Sequence, residues 1–380
     1  MKKRLTIVNR HYPPNINITG ENAWDLAKYL ITKHNIDVDV VHIDRSYEGG
    51  GNKREPIGTT HKIRTIYKGK NKLLGYLSGF FDGVMLIKTA KELKKGPIIV
   101  MTSPPLLPMW ASLFLGKKGI KWILWSMDLF PEGFTSSDQI SNTNFIYKYI
   151  LKLTYKFPPN QLIALGPQQK NVLERKYHKS IEGTILPCGV FVDQDMSNDI
   201  PNWKTHSNKI YFGYAGNCGS PHSPEFIIHA IDAINPDTQH MVLAVYGIYA
   251  EQIKRHAKNK EGVTLLPSIP RNELHHIDVH LVTLIEKWTH VAVPSKAVSS
   301  ICSGSTILFC GNIESDNWHM FQNAGWFVPD SKNLKLDVEN VMKNITMEEI
   351  IVKKEEAKKI GQELNSTIIQ SYDTIATWAR

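Results

Sequence analysis

The feature that most constrains this chain is a repeated alternation between short apolar runs and segments with helical spacing. Residues 5–8 form the first apolar run, and a loop with prolines and a glycine separates it from a helical pattern over 21–34. A second apolar run follows at 36–43. A strand, a loop, a helix and a second strand in this order make up the unit from which parallel sheets are built. The start of the chain therefore predicts a parallel α/β fold.

The same alternation occurs twice along the chain. The first series ends near residue 186, and the second starts at 210. Because 380 residues exceed what one ordinary core absorbs, we predict two doubly wound, Rossmann-like domains that face each other across a cleft. Ligands of such sheets bind beyond the carboxyl ends of the strands, so the cleft is the predicted site. The predicted parts are an N-terminal domain at 1–186, a linker at 187–207, a C-terminal domain at 208–362 and a C-terminal helix at 363–380, which we expect to cross back to the first domain.

The composition is that of a globular protein that favours anionic partners. Hydrophobic residues make up 42% of the chain and charged residues 21%, which argues against disorder, and the formal net charge is +9. The four cysteines form no C-x-x-C pair, which argues against a zinc knuckle and favours reduced thiols. The sequence shows neither a signal-peptide core nor an uncharged apolar stretch of ~18 residues. We expect a cytoplasmic protein that can rest on the inner face of the plasma membrane.

Two glycine-containing loops join a strand to a helix, one at the head of each predicted domain. The first ends at Gly20, and the second carries Gly216 and Gly219 together with Asn217 and Ser220. Glycines let backbone N–H groups approach a ligand closely, and a helix start attracts anions. Each loop alone also fits an ordinary tight turn, but the pair favours a ligand with phosphate groups. Neither loop has the G-x-G-x-x-G spacing of a dinucleotide dehydrogenase.

Lys296 is the strongest candidate for binding those phosphates. It follows Pro294 and Ser295, on the first predicted turn of a helix, where a cation opposes the helix dipole. A residue that breaks a local rule in this way often marks a functional position. Together with the helix start, Lys296 would clamp a diphosphate. Arg271, which follows Pro270, is a further candidate that also fits a surface position.

Asp128 is the candidate for proton transfer. It follows a nearly continuous apolar run at 122–125, and a carboxylate at the carboxyl end of a central strand would point into the cleft. There it could accept a proton from an acceptor hydroxyl as a general base. A cap of the next turn explains Asp128 equally well, and Glu132 is a weaker candidate for the same role.

Taken in order, these stretches resemble glycosyltransferase family 4, in particular the bacterial transferases that add aminosugars in O-antigen and capsule synthesis. The resemblance covers nearly the whole chain, and its motifs are Tyr12-Pro-Pro with Gly20, Ser103-Pro-Pro, Asp128-Leu-Phe-Pro, Leu186-Pro-Cys-Gly-Val, Tyr214-Ala-Gly-Asn-Cys-Gly, and Val293-Pro-Ser-Lys followed by Gly304. It implies a GT-B fold, a nucleoside-diphosphate sugar donor, UDP-linked in this subgroup, and retention at the anomeric carbon. It also implies a reaction without a metal or other cofactor, since lysine, arginine and helix dipoles would stabilise the leaving diphosphate.

The sequence departs from that family at one pair of residues. Family members often carry two glutamates eight positions apart before the conserved glycine, and the matching positions here are Val291 and Ser299. We predict that Lys296, Ser299 and Ser300 replace the missing contacts to the donor sugar. The absent pair leaves open a non-catalytic sugar-nucleotide-binding protein, and a GT-B nucleotide-sugar epimerase, which would share the cleft, is the nearest alternative among enzymes.

A lysine-rich segment at 61–95 is the candidate for contact with the acceptor or the membrane. Apolar and aromatic residues lie beside many basic residues there, a combination that interfacial helices use, and the predicted contacts are Lys72, Tyr76, Phe80 and Phe81. A core helix with a solvated basic face explains the pattern equally well. The resemblance implies a saccharide or a polyprenyl-diphosphate-linked acceptor. We predict no nucleic-acid partner, because basic and aromatic residues do not interleave on a recognisable module.

Overall fold

The computed structural model describes residues 3–15, 17–44, 54–67, 69, 72–93, 96–190 and 196–379. Three consecutive glycines predict a loop at 46–60; residues 46–53 lie outside these ranges, 54–58 form neither helix nor strand, and Thr59 and Thr60 belong instead to a strand. The chain divides into two compact units, with Met1–Cys188 and Thr367–Arg380 forming unit 1 and Gly189–Ser366 forming unit 2. Each unit is built on its own parallel sheet.

Unit 1 contains a seven-stranded sheet in the order β3-β2-β1-β4-β5-β6-β7. The strands are β1 (Arg4–Val8), β2 (Asp37–Asp44), β3 (Thr59–Arg64), β4 (Ile98–Val100), β5 (Trp122–Trp125), β6 (Gln161–Ala164) and β7 (Gly183–Ile185). Strands β4 and β5 are apolar and fully buried, as expected for parallel strands that helices cover on both faces. The strand order changes direction between β1 and β4.

The helices of unit 1 connect these strands. They are α1 (Ile18–His34), α2 (Lys72–Leu93), α3 (Leu107–Phe114), α4 (Glu132–Ser136), α5 (Phe145–Thr154) and α6 (Pro167–Tyr177). Helix α1 starts at Asn17, whose side chain accepts a hydrogen bond from the Thr19 N–H and so satisfies a donor of the first turn. Leu26 and Leu30 share its buried face. It ends at Asn35, which adopts the left-handed conformation that closes helices.

Unit 2 repeats the plan with a six-stranded parallel sheet in the order β10-β9-β8-β11-β12-β13. The strands are β8 (Ile210–Asn217), β9 (Gln239–Tyr246), β10 (Val263–Leu265), β11 (Val279–Thr283), β12 (Thr306–Gly311) and β13 (Gly325–Pro329). The helices are α7 (Pro224–Asp232), α8 (Ala250–Ala257), α9 (Ser295–Cys302), α10 (Asp316–Phe321) and α11 (Leu334–Asn344). Here the order changes direction between β8 and β11, so a ligand is expected beyond the carboxyl ends of those two strands.

The last helix, α12 (Met347–Trp378), starts in unit 2 and ends in unit 1. Within unit 1, its Ser371 hydroxyl lies 2.7 Å from the Thr184 hydroxyl, and its Trp378 Nε1–H donates to Glu182 at 3.1 Å. These bonds attach its last turns beside β7. Across the ranges that the structure describes, every helix is too short or too polar to cross a membrane. The prediction of two doubly wound α/β sheets is confirmed.

Candidate functional site

The loop after β8 is shaped by two glycines. Gly216 has a φ of +128°, which favours glycine, and a Cβ at this position would stand 2.9 Å from Lys296 Cε. Gly247, which follows β9, has a φ of +105°, and a Cβ there would stand 2.9 Å from the Cys218 carbonyl oxygen. The two glycines therefore leave room for the Asn217–Cys218 backbone on one side and for the lysine side chain on the other.

Lys296, the second residue of α9, lies over the end of β8. Its Nζ donates to the Asn217 carbonyl oxygen at 2.6 Å and to His222 Nε2 at 3.3 Å. It also lies 4.9 Å from the centre of the Tyr214 ring, close enough for a cation–π contact. The Tyr214 hydroxyl donates to the same Asn217 carbonyl at 2.8 Å. The structure thus brings the predicted lysine and the predicted glycine loop together where the strand order changes.

The electrostatics of this position favour an anion. Lys296 has no carboxylate partner among the residues that the structure describes. Burial lowers the pKa of its ammonium to about 8, because the charged form has lost water that no acidic group replaces. The N-cap of α9 is Pro294, which offers no side-chain acceptor to the N–H groups of the first turn. A partly desolvated cation and an uncapped helix start together suit a phosphate oxygen.

The motif Leu186-Pro-Cys-Gly-Val contacts the start of the same helix through Gly189. Gly189 has a φ of +107°, and a Cβ on it would stand 2.6 Å from the Ser295 carbonyl oxygen. Only glycine allows such a close approach of two backbone segments in this conformation. Ser295 itself is half-buried as the first residue of α9. Gly189 therefore helps to fix the turn that carries Lys296.

Ser299 and Ser300 point back into their own helix. The Ser299 hydroxyl donates to the Ser295 carbonyl at 3.1 Å, and the Ser300 hydroxyl donates to the Lys296 carbonyl at 2.7 Å. Ser300 is only 2% exposed, and Val291, which with Ser299 occupies the positions of the missing glutamate pair, is 8% exposed. Hydroxyls in helices often bond to the carbonyl one turn earlier. In this arrangement the two serines brace α9, and their contacts with a donor sugar stay a prediction.

The remaining donor-site candidates occupy two different places. Gly219 and Ser220 form the half-buried turn that leads from β8 to α7, and the Gly219 carbonyl accepts the His222 N–H at 2.9 Å. Arg271 opens a 3-10 helix, Arg271–His276, that leads to the amino end of β11. The loop residues therefore lie beside Lys296, whereas the chain at Arg271 runs toward the opposite end of the sheet.

In unit 1, Asp128 stands just beyond the carboxyl end of β5. The residue before it is fixed on both sides, since the Met127 N–H donates to the Thr102 hydroxyl at 3.2 Å and Gln169 donates to the Met127 carbonyl at 2.6 Å. The carboxyl group is half-buried and accepts no hydrogen bond from the described residues. Burial raises the pKa of Asp128 to about 6. A general base is most effective with a pKa near the working pH, so the chemistry predicted for Asp128 is feasible.

Glu132, the weaker candidate, has structural partners instead. Its carboxylate accepts a hydrogen bond from the Tyr155 hydroxyl at 2.8 Å and lies 2.6 Å from Lys176 Nζ. The side chain is only 9% exposed. Both contacts are made by Oε1, while Oε2 is buried without a hydrogen-bond partner among the described residues, and breaking a buried ion pair of this kind is costly. Glu132 therefore ties α4 to α6 and is a poor candidate for the base.

The remaining candidates of unit 1 lie on α1 and α2. Gly20 lies in the first turn of α1, and a Cβ there would stand 3.2 Å from the His11 carbonyl oxygen, so this glycine serves close packing of helix and loop. Phe80 and Phe81 are 37% and 49% exposed on α2. The side chains of Lys72 and Tyr76, in the same helix, lie outside the described residues.

The sequence interpretation missed two residues that contact Lys296. Tyr214 lies within the predicted loop motif but was assigned no role, and His222 precedes α7 in the run Gly-Ser-Pro-His. His222 Nδ1 lies 2.7 Å from the Thr283 carbonyl oxygen at the end of β11. A histidine between a glycine loop and a helix start was the available signal, but its contact with Lys296 depends on β8 and β11 being neighbours.

Comparisons with known proteins place this geometry in a GT-B fold. No protein-family model matches the chain. WbjE of Pseudomonas aeruginosa, named a probable glycosyltransferase, is 26% identical over 261 residues, which is 63% of this chain and 64% of that protein, so the match spans less than two thirds of its length. WaaG, a glycosyltransferase involved in lipopolysaccharide biosynthesis, aligns over 98% of this chain and 99% of its own, with a TM-score of 0.67 and 13% identity. HepE of Anabaena in complex with UDP and glucose aligns over 99% and 100%, with a TM-score of 0.66 and 12% identity.

Proposed function

We propose that this protein is a retaining glycosyltransferase that moves a sugar, in particular an N-acetylated aminosugar, from a UDP-linked donor to a saccharide or polyprenyl-diphosphate-linked acceptor in bacterial surface-polysaccharide synthesis. The observation that carries the proposal is Lys296, an ammonium with no acidic partner among the described residues, beside an uncapped helix start and a glycine loop. The similarity to WbjE and the shared fold with the UDP complex of HepE support it.

In this proposal the donor diphosphate binds to Lys296 and the first turn of α9. When the bond between the anomeric carbon and the phosphate oxygen breaks, negative charge grows on the diphosphate, and the ammonium and helix dipole stabilise it. This charge stabilisation replaces a metal ion, so we expect activity without one. Retention requires the acceptor oxygen to bond to the anomeric carbon on the face that the diphosphate leaves, and the proposal assigns the acceptor proton to Asp128, for which a pKa of about 6 is suitable.

A thermal-shift panel of UDP, GDP, ADP, CMP and NAD tests the donor site. A ligand that binds only the folded state stabilises it by about 2.7 kcal/mol at a hundredfold excess over its Kd. We expect a clear shift with UDP, unchanged by EDTA, and none with CMP or NAD. If none of the nucleotides raises the unfolding temperature, the assignment of Lys296 to a diphosphate is wrong.

A second candidate, a non-catalytic sugar-nucleotide-binding protein, is favoured by one observation. Val291 and Ser299 occupy the positions of the usual glutamate pair, and neither offers a carboxylate to the donor sugar. Both candidates predict a UDP shift, so turnover separates them. The transferase releases UDP from UDP-sugars and does so faster when an acceptor extract is added, whereas the binding protein releases none. An epimerase would change the sugar without any acceptor.

The membrane contact also belongs to this proposal. Exposed apolar side chains follow one face of α2, and others cluster at the start of α5: Leu74, Leu77, Phe81 and Met85 on the first helix, and Phe145, Ile146 and Tyr149 on the second. Helix α3 packs against both α2 and α5, so the three form one layer. Exposed lysines lie beside the apolar residues, at Lys88, Lys148 and Lys152. Such a surface suits an anionic bilayer, where lipid-linked acceptors reside.

Vesicle sedimentation tests this surface. We expect the protein to co-sediment with vesicles that contain phosphatidylglycerol and not with pure phosphatidylcholine, because the lysines add about 1 kcal/mol each near an anionic surface. Phe81→Ser with Tyr149→Ser should reduce the bound fraction severalfold. Ile313→Ser, which removes an equally exposed apolar side chain from unit 2, is the matched control. Equal loss in both variants would contradict the assignment of this layer.

A further inference from the structure

His222 is held in one tautomer by its surroundings. Its Nδ1 lies 2.7 Å from the Thr283 carbonyl oxygen, and a carbonyl can only accept, so Nδ1 carries the hydrogen. In a neutral ring the other nitrogen then has a lone pair. That nitrogen, Nε2, lies 3.3 Å from Lys296 Nζ. The ring therefore presents an acceptor, and not a second positive N–H, to the ammonium.

The charge state of His222 agrees with this geometry. Burial and the neighbouring Lys296 lower the pKa of His222 to about 3, so the ring stays neutral in the physiological range. The other titratable groups that face the ammonium are Tyr214 and Cys218, and burial raises the pKa of both, that of Cys218 to about 11. Between pH 6 and 9, Lys296 is therefore the member of this cluster that titrates.

The donors of Lys296 can be assigned one by one. An ammonium has three N–H groups and no acceptor. One N–H donates to the Asn217 carbonyl and one to His222 Nε2, while the Tyr214 ring lies beside the cation. No described residue accepts the third. A lysine side chain is flexible and loses considerable rotamer entropy when it is fixed, so two preformed bonds leave the third donor aimed at a ligand at lower cost.

We infer that His222 is a positioning residue, whose Nε2 holds the Lys296 ammonium in place and in its charged form for the donor diphosphate. The inference rests on the proposed function, since it assigns His222 to the same site. Among the partners of Lys296, His222 contributes the one hydrogen bond that comes from a side chain, because Asn217 contributes a backbone carbonyl. Substitution of His222 therefore tests the pair directly.

The test compares His222→Leu with His222→Gln by calorimetric titration of UDP between pH 6.5 and 9. Leucine removes the acceptor, and a hydrogen bond to a charged group is strong enough that we expect about tenfold weaker UDP binding at pH 7.5. The alkaline fall of affinity should also move to lower pH, because the ammonium has lost a group that stabilises it. Glutamine, whose amide oxygen can accept, should restore affinity to within about threefold of the wild type. Wild-type affinity and pH profile in the leucine variant, or equal loss in both variants, would overturn the inference.

A measurement without nucleotide separates this inference from the proposed function and does not require the leucine variant to fold. Side-chain ¹⁵N spectra of the wild-type protein should show His222 as the neutral Nδ1–H tautomer, and Lys296→Met should shift its Nε2 resonance. If those signals appear but UDP does not bind to the wild type, the pair stands and the diphosphate assignment fails. If the ring is found as the Nε2–H tautomer, the positioning role is wrong whatever UDP does.

Discussion

The two units use the same architecture but surround their charged candidate residues differently. In unit 2, Lys296 is engaged by a carbonyl, an imidazole and an aromatic ring, on a helix start that Gly189 and Gly216 approach closely. In unit 1, Asp128 has a fixed backbone neighbour but no described hydrogen bond to its carboxyl group. The cation is therefore oriented in advance, whereas the carboxyl group is only desolvated.

This difference matches two kinds of chemistry. Stabilising charge on a leaving diphosphate requires donors that are already in place, because reorganisation during the reaction would be costly. Accepting a proton requires a suitable pKa and access to the acceptor hydroxyl more than a rigid network. In both cases burial moves the pKa toward neutrality, to about 8 for Lys296 and to about 6 for Asp128. The proposed activity should then be greatest between these two values.

Lys296→Ala should give the largest effect. We expect turnover to fall about 1,000-fold, because the donor that stabilises the leaving group is lost. The unfolding temperature should stay the same or rise, since the variant removes a desolvated cation that has no acidic partner among the described residues. Turnover of UDP-sugar and calorimetric melting of the same sample measure both quantities.

Lys354→Ala is the matched control for this prediction. Lys354 lies 2.6 Å from the buried Asp278 carboxylate, so its loss leaves an unpaired charge and should lower stability while turnover at permissive temperature is kept. The prediction is wrong if Lys296→Ala is less stable than Lys354→Ala, or if Lys296→Ala retains near-normal turnover.

Asp128→Asn should give the next largest effect. We expect kcat to fall about 100-fold, a typical contribution of a general base, with UDP affinity unchanged. In the wild type, activity should fall as the pH drops below about 6, where Asp128 becomes protonated, and the asparagine variant should lose this acidic limb. Rate measurements from pH 5 to 8 test the prediction. Glu132→Gln breaks the ion pair with Lys176, so it should lower stability and keep the acidic limb of the pH–rate profile. If the acidic limb disappears in this variant, Glu132 and not Asp128 is the general base.

The parts of the fold that the sequence predicted are those with continuous apolar runs. The buried strands β1, β2 and β5 were predicted from such runs, but β3 and β13 were not. Both missed strands form the edge of a sheet. In β3 the residues Thr59–Arg64 are mostly polar and partly exposed, and β13 begins with a glycine and ends with a proline. Edge strands pack on one side only, so their composition resembles that of a loop.

The candidate site was predictable only as far as its motifs are local in sequence. Lys296 was found because a cation at a helix start opposes the helix dipole, and the Gly216 loop was found because glycines let the backbone approach a ligand closely. The partner His222 lies 74 residues from Lys296 and is brought to it by the pairing of β8 with β11, which no local pattern encodes. The helical bonds of Ser299 and Ser300 were likewise invisible, because a serine in a sequence does not reveal where its hydroxyl donates.

The comparison between the units also predicts a smaller, pH-dependent effect on stability. Among the described residues of unit 1, burial lowers the pKa of His42. In unit 2 burial lowers the pKa of five histidines: His222, His240, His275, His276 and His280. Below pH 6.5 these histidines bind protons in the unfolded chain, but in the folded protein they stay neutral until the pH is lower. Because proton binding then favours the unfolded state, unit 2 should lose more stability than unit 1 as the pH falls from 6.5 toward 4. For His280, whose pKa falls to about 4, the loss amounts to about 3 kcal/mol.

Hydrogen exchange at pH 7.5 and pH 5, corrected for intrinsic rates, measures this difference peptide by peptide. Protection in β8 and β11 should fall more than protection in β1 and β5. His280→Gln keeps a donor for the Leu274 carbonyl, which lies 3.0 Å from His280 Nε2, but cannot become charged, so it should reduce the pH dependence of unit 2 alone. If unit 1 loses protection first, or if the glutamine variant responds to acid as the wild type does, then the histidines do not account for the acid sensitivity of unit 2.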